Sequence, residues 1–279
     1  MFQIDLLAGK RILITGGGSG LGAAMAERFA ELGASLLLCG RRAEVLEATA
    51  AALRERGVTV ATAPCDVRDA EAVEAMVAQQ WDQAPIDVLV NNAAATFIAQ
   101  TETLSARAAD AVLATTLHGA MYMTLALGKR WIDSGRPGTV LSILSTSTLT
   151  GRAFTVPSAM AKAGLLAMTR SLAVEWGPRG IRLVAIAPGS FPTAGSNRQL
   201  NPAERGAAAA RAPLNPLGRV GNPGELADLA SYLVSDQAGY INGEMVAIDG
   251  GAHLRSSGAE DLLQWSPEQW AAARAARAR

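Results

Sequence analysis

Short apolar runs alternate with longer stretches in which apolar positions recur every three or four residues. The runs cover residues 11–15, 35–40, 59–64, 88–91, 139–143, 182–187 and 244–248, and each predicts a strand. The stretches between them, 20–31, 42–55, 69–81, 106–134, 157–176 and 223–235, carry helical patterns. Asp69 and the Asn222-Pro223 pair read as helix starts, and Gly33, Gly57 and Gly177 as helix stops. Strands alternating with helices imply right-handed crossovers and a parallel sheet. The expected fold class is therefore α/β: a doubly wound, seven-stranded parallel sheet with helices on both faces. No linker divides the pattern and no internal repeat occurs, so one domain over 1–279 is expected.

Two segments break the rhythm. Residues 189–219 are rich in Pro, Gly, Ala and Asn and follow a strand end, which favours a substrate lid over a disordered loop. Residues 253–279 follow the last strand, and Ser-Pro-Glu at 266–268 caps a final helical stretch. That stretch either packs on a neighbouring subunit or the substrate mouth, or lies in solvent.

Composition narrows the function classes. Hydrophobic residues make up 49% of the 279 and charged ones 18%, below the roughly 25% usual for soluble domains, so a large core and some oligomer surface are expected. Zero formal net charge argues against nucleic-acid and anionic-membrane partners. No apolar run is expected to reach the length of a membrane span, and the amino terminus has no signal-peptide pattern. Cys39 and Cys65 read as small buried residues of a cytoplasmic protein. His118 and His253 share no ligand spacing, so no metal site is expected.

The strand-like Ile12-Leu13-Ile14 runs into Thr15-Gly16-Gly17-Gly18-Ser19-Gly20-Leu21-Gly22. Glycines at such a junction let backbone approach phosphate without side-chain obstruction. A helix opening at Gly20, Leu21 and Gly22 offers amide donors with no internal partner, and its dipole favours a pyrophosphate. A tight turn would need the same glycines, but the preceding strand and the amphipathic helix after it supply the context of a dinucleotide site. The second strand ends at Cys39-Gly40-Arg41-Arg42, with no acidic residue before Glu44 to take the ribose hydroxyls of NAD. Arg41 and Arg42 instead suit a 2′-phosphate, so NADP(H) is the expected cofactor. Asp66-Val67 is placed to meet the adenine, and Asn91-Asn92-Ala93-Ala94 to pass beside the middle of the cofactor.

With these motifs, together with Ser145, Lys162 and Pro188-Gly189, the chain resembles the short-chain dehydrogenase/reductase family over about residues 8–251. The resemblance implies a Rossmann-type domain, commonly a homotetramer. It implies that Gly16, Gly18, Ser19, Asn92, Ala93 and Ala94 help hold the cofactor, and that Pro188, Gly189, Ser190 and Phe191 lie against the nicotinamide. It further implies that Ser145 donates to the substrate carbonyl and that Lys162 holds the nicotinamide ribose. The family's catalytic tyrosine, four residues before the lysine, is replaced here by Ser158, and its helix asparagine by Thr116. The 2,4-dienoyl-CoA reductases are a branch that tolerates the loss of the tyrosine. The chain is similar to them through Val156-Pro157-Ser158-Ala159, Ala173-Val174-Glu175-Trp176-Gly177, Asp249-Gly250-Gly251 and the tail at Glu268-Gln269-Trp270. In that branch two further donors serve the thioester oxygen; here their places hold Ser147 and Thr96, and Ala95 replaces a glycine. The expected activity is reduction of a conjugated or acyl carbonyl substrate, with a 2,4-dienoyl or enoyl thioester of CoA leading. Charge then collects on the thioester oxygen, where hydroxyl donors stabilise it, and a proton arrives afterwards from water. A ketone, imine or enone reductase and a non-catalytic NADP-binding protein remain the alternatives.

Overall fold

In the computed structural model, residues 3–193, 215–255, 262 and 265–277 are described. Seven strands, β1 (Arg11–Thr15), β2 (Ser35–Gly40), β3 (Val60–Pro64), β4 (Val88–Asn91), β5 (Gly138–Ile143), β6 (Ile181–Pro188) and β7 (Met245–Ile248), form one sheet in the order β3-β2-β1-β4-β5-β6-β7. Every neighbouring pair is parallel. Successive side chains of a strand enter opposite layers. Ile12 and Ile14 pack in one core with Met25 and Phe29, while Leu13 packs in the other with Val77, Leu127 and Trp131. Burial on both sides is why these strands read as continuous apolar runs.

The first layer holds α1 (Gly20–Glu31), α2 (Ala43–Arg54) and α8 (Pro223–Val234). The second holds α3 (Ala70–Gln83), α5 (Gly119–Ser134) and α7 (Val156–Trp176). Asp69 caps α3 by accepting from the backbone N–H groups of Glu71 and Ala72. Asn222 and Glu225 form a reciprocal capping box on α8. α7 ends at Gly177 as expected, but without a left-handed turn there: a short 3-10 turn (Gly177–Arg179) follows, and Gly180 takes the left-handed position at φ +75°.

The stretch over 106–134 departs from expectation in two ways. It divides into α4 (Ala106–Leu113), a π turn (Ala114–His118) and α5. It is also long and apolar enough by composition to cross a membrane, contrary to the expectation above; half of its most apolar window is buried within the molecule. Its apolar side serves the core, where Met123, Leu127 and Trp131 are fully buried. Trp131 donates its indole N–H to the Ile86 carbonyl at 2.7 Å, and the start of β5 lies so close that only a glycine, Gly138, fits against the ring.

Of the lid expected over 189–219, residues 194–214 lie outside the described residues. So do 256–261, 263–264 and 278–279 of the expected tail. The tail helix α9 (Pro267–Arg277) forms, and Trp265 and Trp270 meet with ring centroids 5.0 Å apart.

Candidate active site

The chain leaves β1 towards β2 and leaves β4 towards β5, although β1 and β4 are neighbours. Their following loops therefore diverge and open a crevice at the carboxyl ends of the strands. The glycine loop lines one wall. Gly16 takes φ +68° and donates its N–H to the Cys39 carbonyl at 2.7 Å. A Cβ on Gly22 would lie 2.3 Å from the Gly16 carbonyl oxygen, and a Cβ on Gly18 would lie 3.1 Å from the backbone of Val45 and Leu46. Gly20 takes φ +55°, another left-handed position. Ser19 precedes α1 in an extended conformation and makes no side-chain cap, so its side chain takes none of the first-turn amide donors of α1. This cradle fits a dinucleotide pyrophosphate.

The opposite wall is tied to the first by a residue that sequence reasoning missed. The buried Thr15 hydroxyl donates to the Val90 carbonyl at 3.2 Å and accepts from the N–H groups of Asn92 and Ala93, each at 3.0 Å. Asn92 returns a bond from Nδ2 to the Thr15 carbonyl at 2.9 Å. A polar residue closing an otherwise apolar strand was the available signal. Behind this junction Asn91 is buried and donates Nδ2 to the Thr124 hydroxyl at 2.9 Å.

At the outer end of the crevice, Arg41 and Arg42 are exposed, and Arg42 occupies the cap position of α2. Asp66 receives Nε of Arg68 at 3.0 Å and Nη2 at 2.6 Å. Those bonds hold its carboxyl below the usual range, despite partial burial, and Arg41 adds to the effect. Val67 does not present its side chain to the crevice; it is buried against Gly119, where an added Cβ would lie 2.6 Å from its Cγ2. Cys39 and Cys65 are both buried and free, and their mutual hydrogen bond together with burial pushes the Cys39 thiol up.

The inner end is built by α7 and β5. Pro157 lies in the first turn of α7, Ser158 follows it half-buried, and Lys162 comes four residues later on the same side of the helix. Lys162 is only 6% exposed, and its Nζ donates to the Ile143 carbonyl at the end of β5. Burial lowers its pKa from 10.5 to about 8. Two residues beyond Ile143, Ser145 is half-buried and its Oγ accepts from the Ser147 N–H at 3.4 Å. Ser147 opens the single-turn helix α6 (Ser147–Thr150). Thr96 is half-buried in the loop after β4.

Thr116 differs from these half-buried hydroxyls in its burial. It lies in the π turn, fully buried, and its Oγ1 accepts from the Ala95 N–H at 3.0 Å and donates to the Ala95 carbonyl at 3.3 Å. It therefore supports the loop that carries Ala94 and Thr96. Beyond β6, a Cβ on Gly189 would lie 2.5 Å from Cβ of Asp249, and Phe191 is buried while Ser190 is exposed. Asp249 is a second residue that sequence reasoning did not place. Burial raises its pKa, but bonds from the His253 ring at 2.9 Å, the His253 N–H and the Gly251 N–H outweigh it and hold the carboxyl low. This bonding makes it a brace for the turn after β7.

A family model described as enoyl-(acyl carrier protein) reductase matches residues 16–253. A probable 2,4-dienoyl-CoA reductase of Bacillus subtilis is 40% identical over 247 residues, covering 88% of this chain and 97% of that protein. A probable 2,4-dienoyl-CoA reductase of Caenorhabditis elegans is 38% identical over 273 residues, covering 94% and 87%. Among solved structures, a short-chain dehydrogenase from Bacillus anthracis is 40% identical with a TM-score of 0.80, covering 88% of this chain and 98% of its own.

Proposed function

Because this chain belongs to the short-chain dehydrogenase/reductase family, whose oxidoreductases use nicotinamide dinucleotides, we propose that it is an NADP(H)-dependent reductase of conjugated acyl thioesters, with a 2,4-dienoyl-CoA as the leading substrate. The observation that carries the reading is a buried Lys162 bonded to the end of β5, two residues from the half-buried Ser145 and in a sheet whose crevice is lined by a glycine cradle. The glycine loop and the first turn of α1 would hold the pyrophosphate, and Lys162 the nicotinamide ribose. Bound there, the nicotinamide supplies hydride.

The residues of the chain do the rest. Hydroxyls of Ser145 and of Ser147 or Thr96 donate to the thioester oxygen as charge builds on it, in a setting partly shielded from water. Ser158 occupies the place of the family's tyrosine, so the site works without a phenol there. The choice of NADP over NAD rests on Arg41 and Arg42 at the rim and on the lack of an acidic residue at the end of β2. Asp66 does not supply that acidic group, because Arg68 engages its carboxylate. Assembly as a homotetramer goes with the family reading, and light scattering tests it.

Incubation with NADPH and a dienoyl-CoA, followed by loss of nicotinamide absorbance, tests the activity. No cofactor oxidation over a panel of dienoyl, enoyl and ketoacyl thioesters removes it. The short reach of Ser147 and Thr96 favours a second reading, a free small ketone or enone bound closer to the wall; turnover of those compounds with none of thioesters supports it.

A further inference from the structure

Beyond the carboxyl ends of β6 and β7 lies a cavity of about 100 Å³, with Ser190, Phe191, Asn215, Arg219, Asp249 and Gly250 among its lining residues. It has room for more than one water-sized group. Backbone bonds join its walls: the Gly189 N–H donates to the Ile248 carbonyl at 3.0 Å, and the Gly221 N–H to the Ser190 carbonyl at 2.9 Å. Its charged groups are already paired. Arg219 grips Glu225 with both Nη atoms, at 2.7 and 2.8 Å. The Asp249 carboxylate takes the N–H groups of Gly251 and His253 and the His253 ring. Asn215 is different. It is only 8% exposed, and its Nδ2 donates to the Arg219 carbonyl at 2.6 Å, yet its Oδ1 is buried without a hydrogen-bond partner. Gly250 backs the amide so closely that an added Cβ would lie 2.8 Å from Asn215 Cγ. Flipping the amide would set oxygen against the Arg219 carbonyl, so the orphaned acceptor stays. A buried acceptor without a donor is costly, and a donor arriving on a ligand removes that cost.

We propose that Asn215 is a cofactor-binding residue whose Oδ1 accepts an N–H of the nicotinamide carboxamide, with the cavity holding that group. This rests on the dinucleotide reading above and not on the choice of substrate. The lining selects a neutral amide. The unpaired atom is an acceptor, so the occupant must donate. The charged groups answer one another, so none is left for an ion. Phe191, Leu217, Val220 and Ile248 supply apolar walls, which suit a group with few polar atoms. Position selects the cofactor. Ser190 and Phe191, which the family resemblance sets against the nicotinamide, also line the cavity. A carboxamide on that ring would reach Asn215, and the exposed Ser190 would offer its hydroxyl to the carboxamide oxygen. The pantetheine arm of a thioester also carries amide donors, but a substrate would meet the opposite face of the ring.

Calorimetry on the full chain tests the contact without turnover. The probe is the 3-acetylpyridine analogue of NADP+, in which a methyl replaces the carboxamide NH2 and no N–H is offered. The wild-type protein is expected to bind NADP+ about 3- to 10-fold more tightly than the analogue. Asn215→Leu keeps the volume and removes the acceptor, so it should bind NADP+ no better than the analogue. Asn215→Asp also loses the bond to the Arg219 carbonyl but keeps an acceptor, so it should retain the preference for NADP+. Loss of the preference in both variants assigns the effect to that bond and overturns the proposal. A preference that survives in Asn215→Leu overturns it too. So does equal binding of both compounds by the wild-type protein, which would leave water alone in the cavity. If Asn215→Leu does not fold, the wild-type comparison decides. Wild-type protein that binds neither compound overturns the dinucleotide reading, and this contact with it.

Discussion

Arg41 and Arg42 owe their expected role to where β2 stops: a guanidinium there can face a 2′-phosphate, while a carboxylate there would repel one. Replacing both with alanine is expected to weaken NADPH binding by about 10²-fold or more and to leave NADH binding unchanged, because each lost charge-assisted bond is worth roughly 1.5–3 kcal/mol. Calorimetry with both cofactors checks it. Gly22 acts through the volume it lacks. In Gly22→Ala the new methyl would sit 2.3 Å from the Gly16 carbonyl, so the helix must move off the strand. The expected result is a loss of about 1–3 kcal/mol in urea unfolding and the loss of cofactor affinity. Ser142 and Asn91 are register partners on β5 and β4, and each carries a buried polar atom without a hydrogen-bond partner, Oγ and Oδ1. Ser142→Ala removes one desolvated hydroxyl and one small volume together. It is expected to raise the melting temperature, by an amount corresponding to about 1 kcal/mol; a lowered melting temperature would show that the hydroxyl is satisfied in solution.

The π turn is the element whose effect reaches furthest. One extra residue in the 106–134 helix turns Thr116 inward, where its hydroxyl holds both the N–H and the carbonyl of Ala95. Turns of this kind recur at functional sites because they re-aim a side chain without ending a helix. Thr116→Val keeps the volume and removes both bonds. It is expected to cost about 1–2 kcal/mol of stability and to raise the KM for the carbonyl substrate more than the KM for NADPH, since the supported loop carries Thr96. At the other end of the same helix, α5 and β5 meet through Trp131 and Gly138. Helix periodicity marked the stretch over 106–134 and marked it well, but a pattern of apolar positions has no term for a single inserted residue.

For the whole molecule, the informative quantity is the cost of keeping a lysine in the core. Lys162 titrates at about 8 in the folded protein against 10.5 in water, so between those values the unfolded chain holds a proton that the folded chain has released. Stability from this group therefore rises with pH across the window from about 8 to 10.5 and is flat on either side. The full span amounts to about 3 kcal/mol as an upper figure. Urea unfolding of cofactor-free protein near neutral pH and near pH 10 should show this rise, and Lys162→Met should lack it. A rise of equal size in the variant would assign it to other groups. The same lysine ties function to architecture, because the environment that destabilises its charge is the site between α7 and the end of β5.

The order of strands and helices, the glycine cradle, the caps at Asp69 and Asn222, and the spacing that puts Ser158 and Lys162 on one side of α7 were all legible in the chain. Each is a local matter: a period of two or 3.6, a cap next to its helix, a glycine where the backbone must bend. What only the folded molecule decided joins distant residues. Thr15 meets Asn92 across 77 positions, Lys162 finds the Ile143 carbonyl across 19, and Thr116 reaches Ala95 across 21. The capture of Asp66 by Arg68 spans only two positions, yet it too escaped the sequence, because which partner a carboxylate takes depends on side-chain geometry rather than on pattern. The lowered pKa of Lys162 belongs with these. Sequence placed the amine on its helix, and the packing of α7 against the end of β5 removed the water that would have kept it an ordinary lysine.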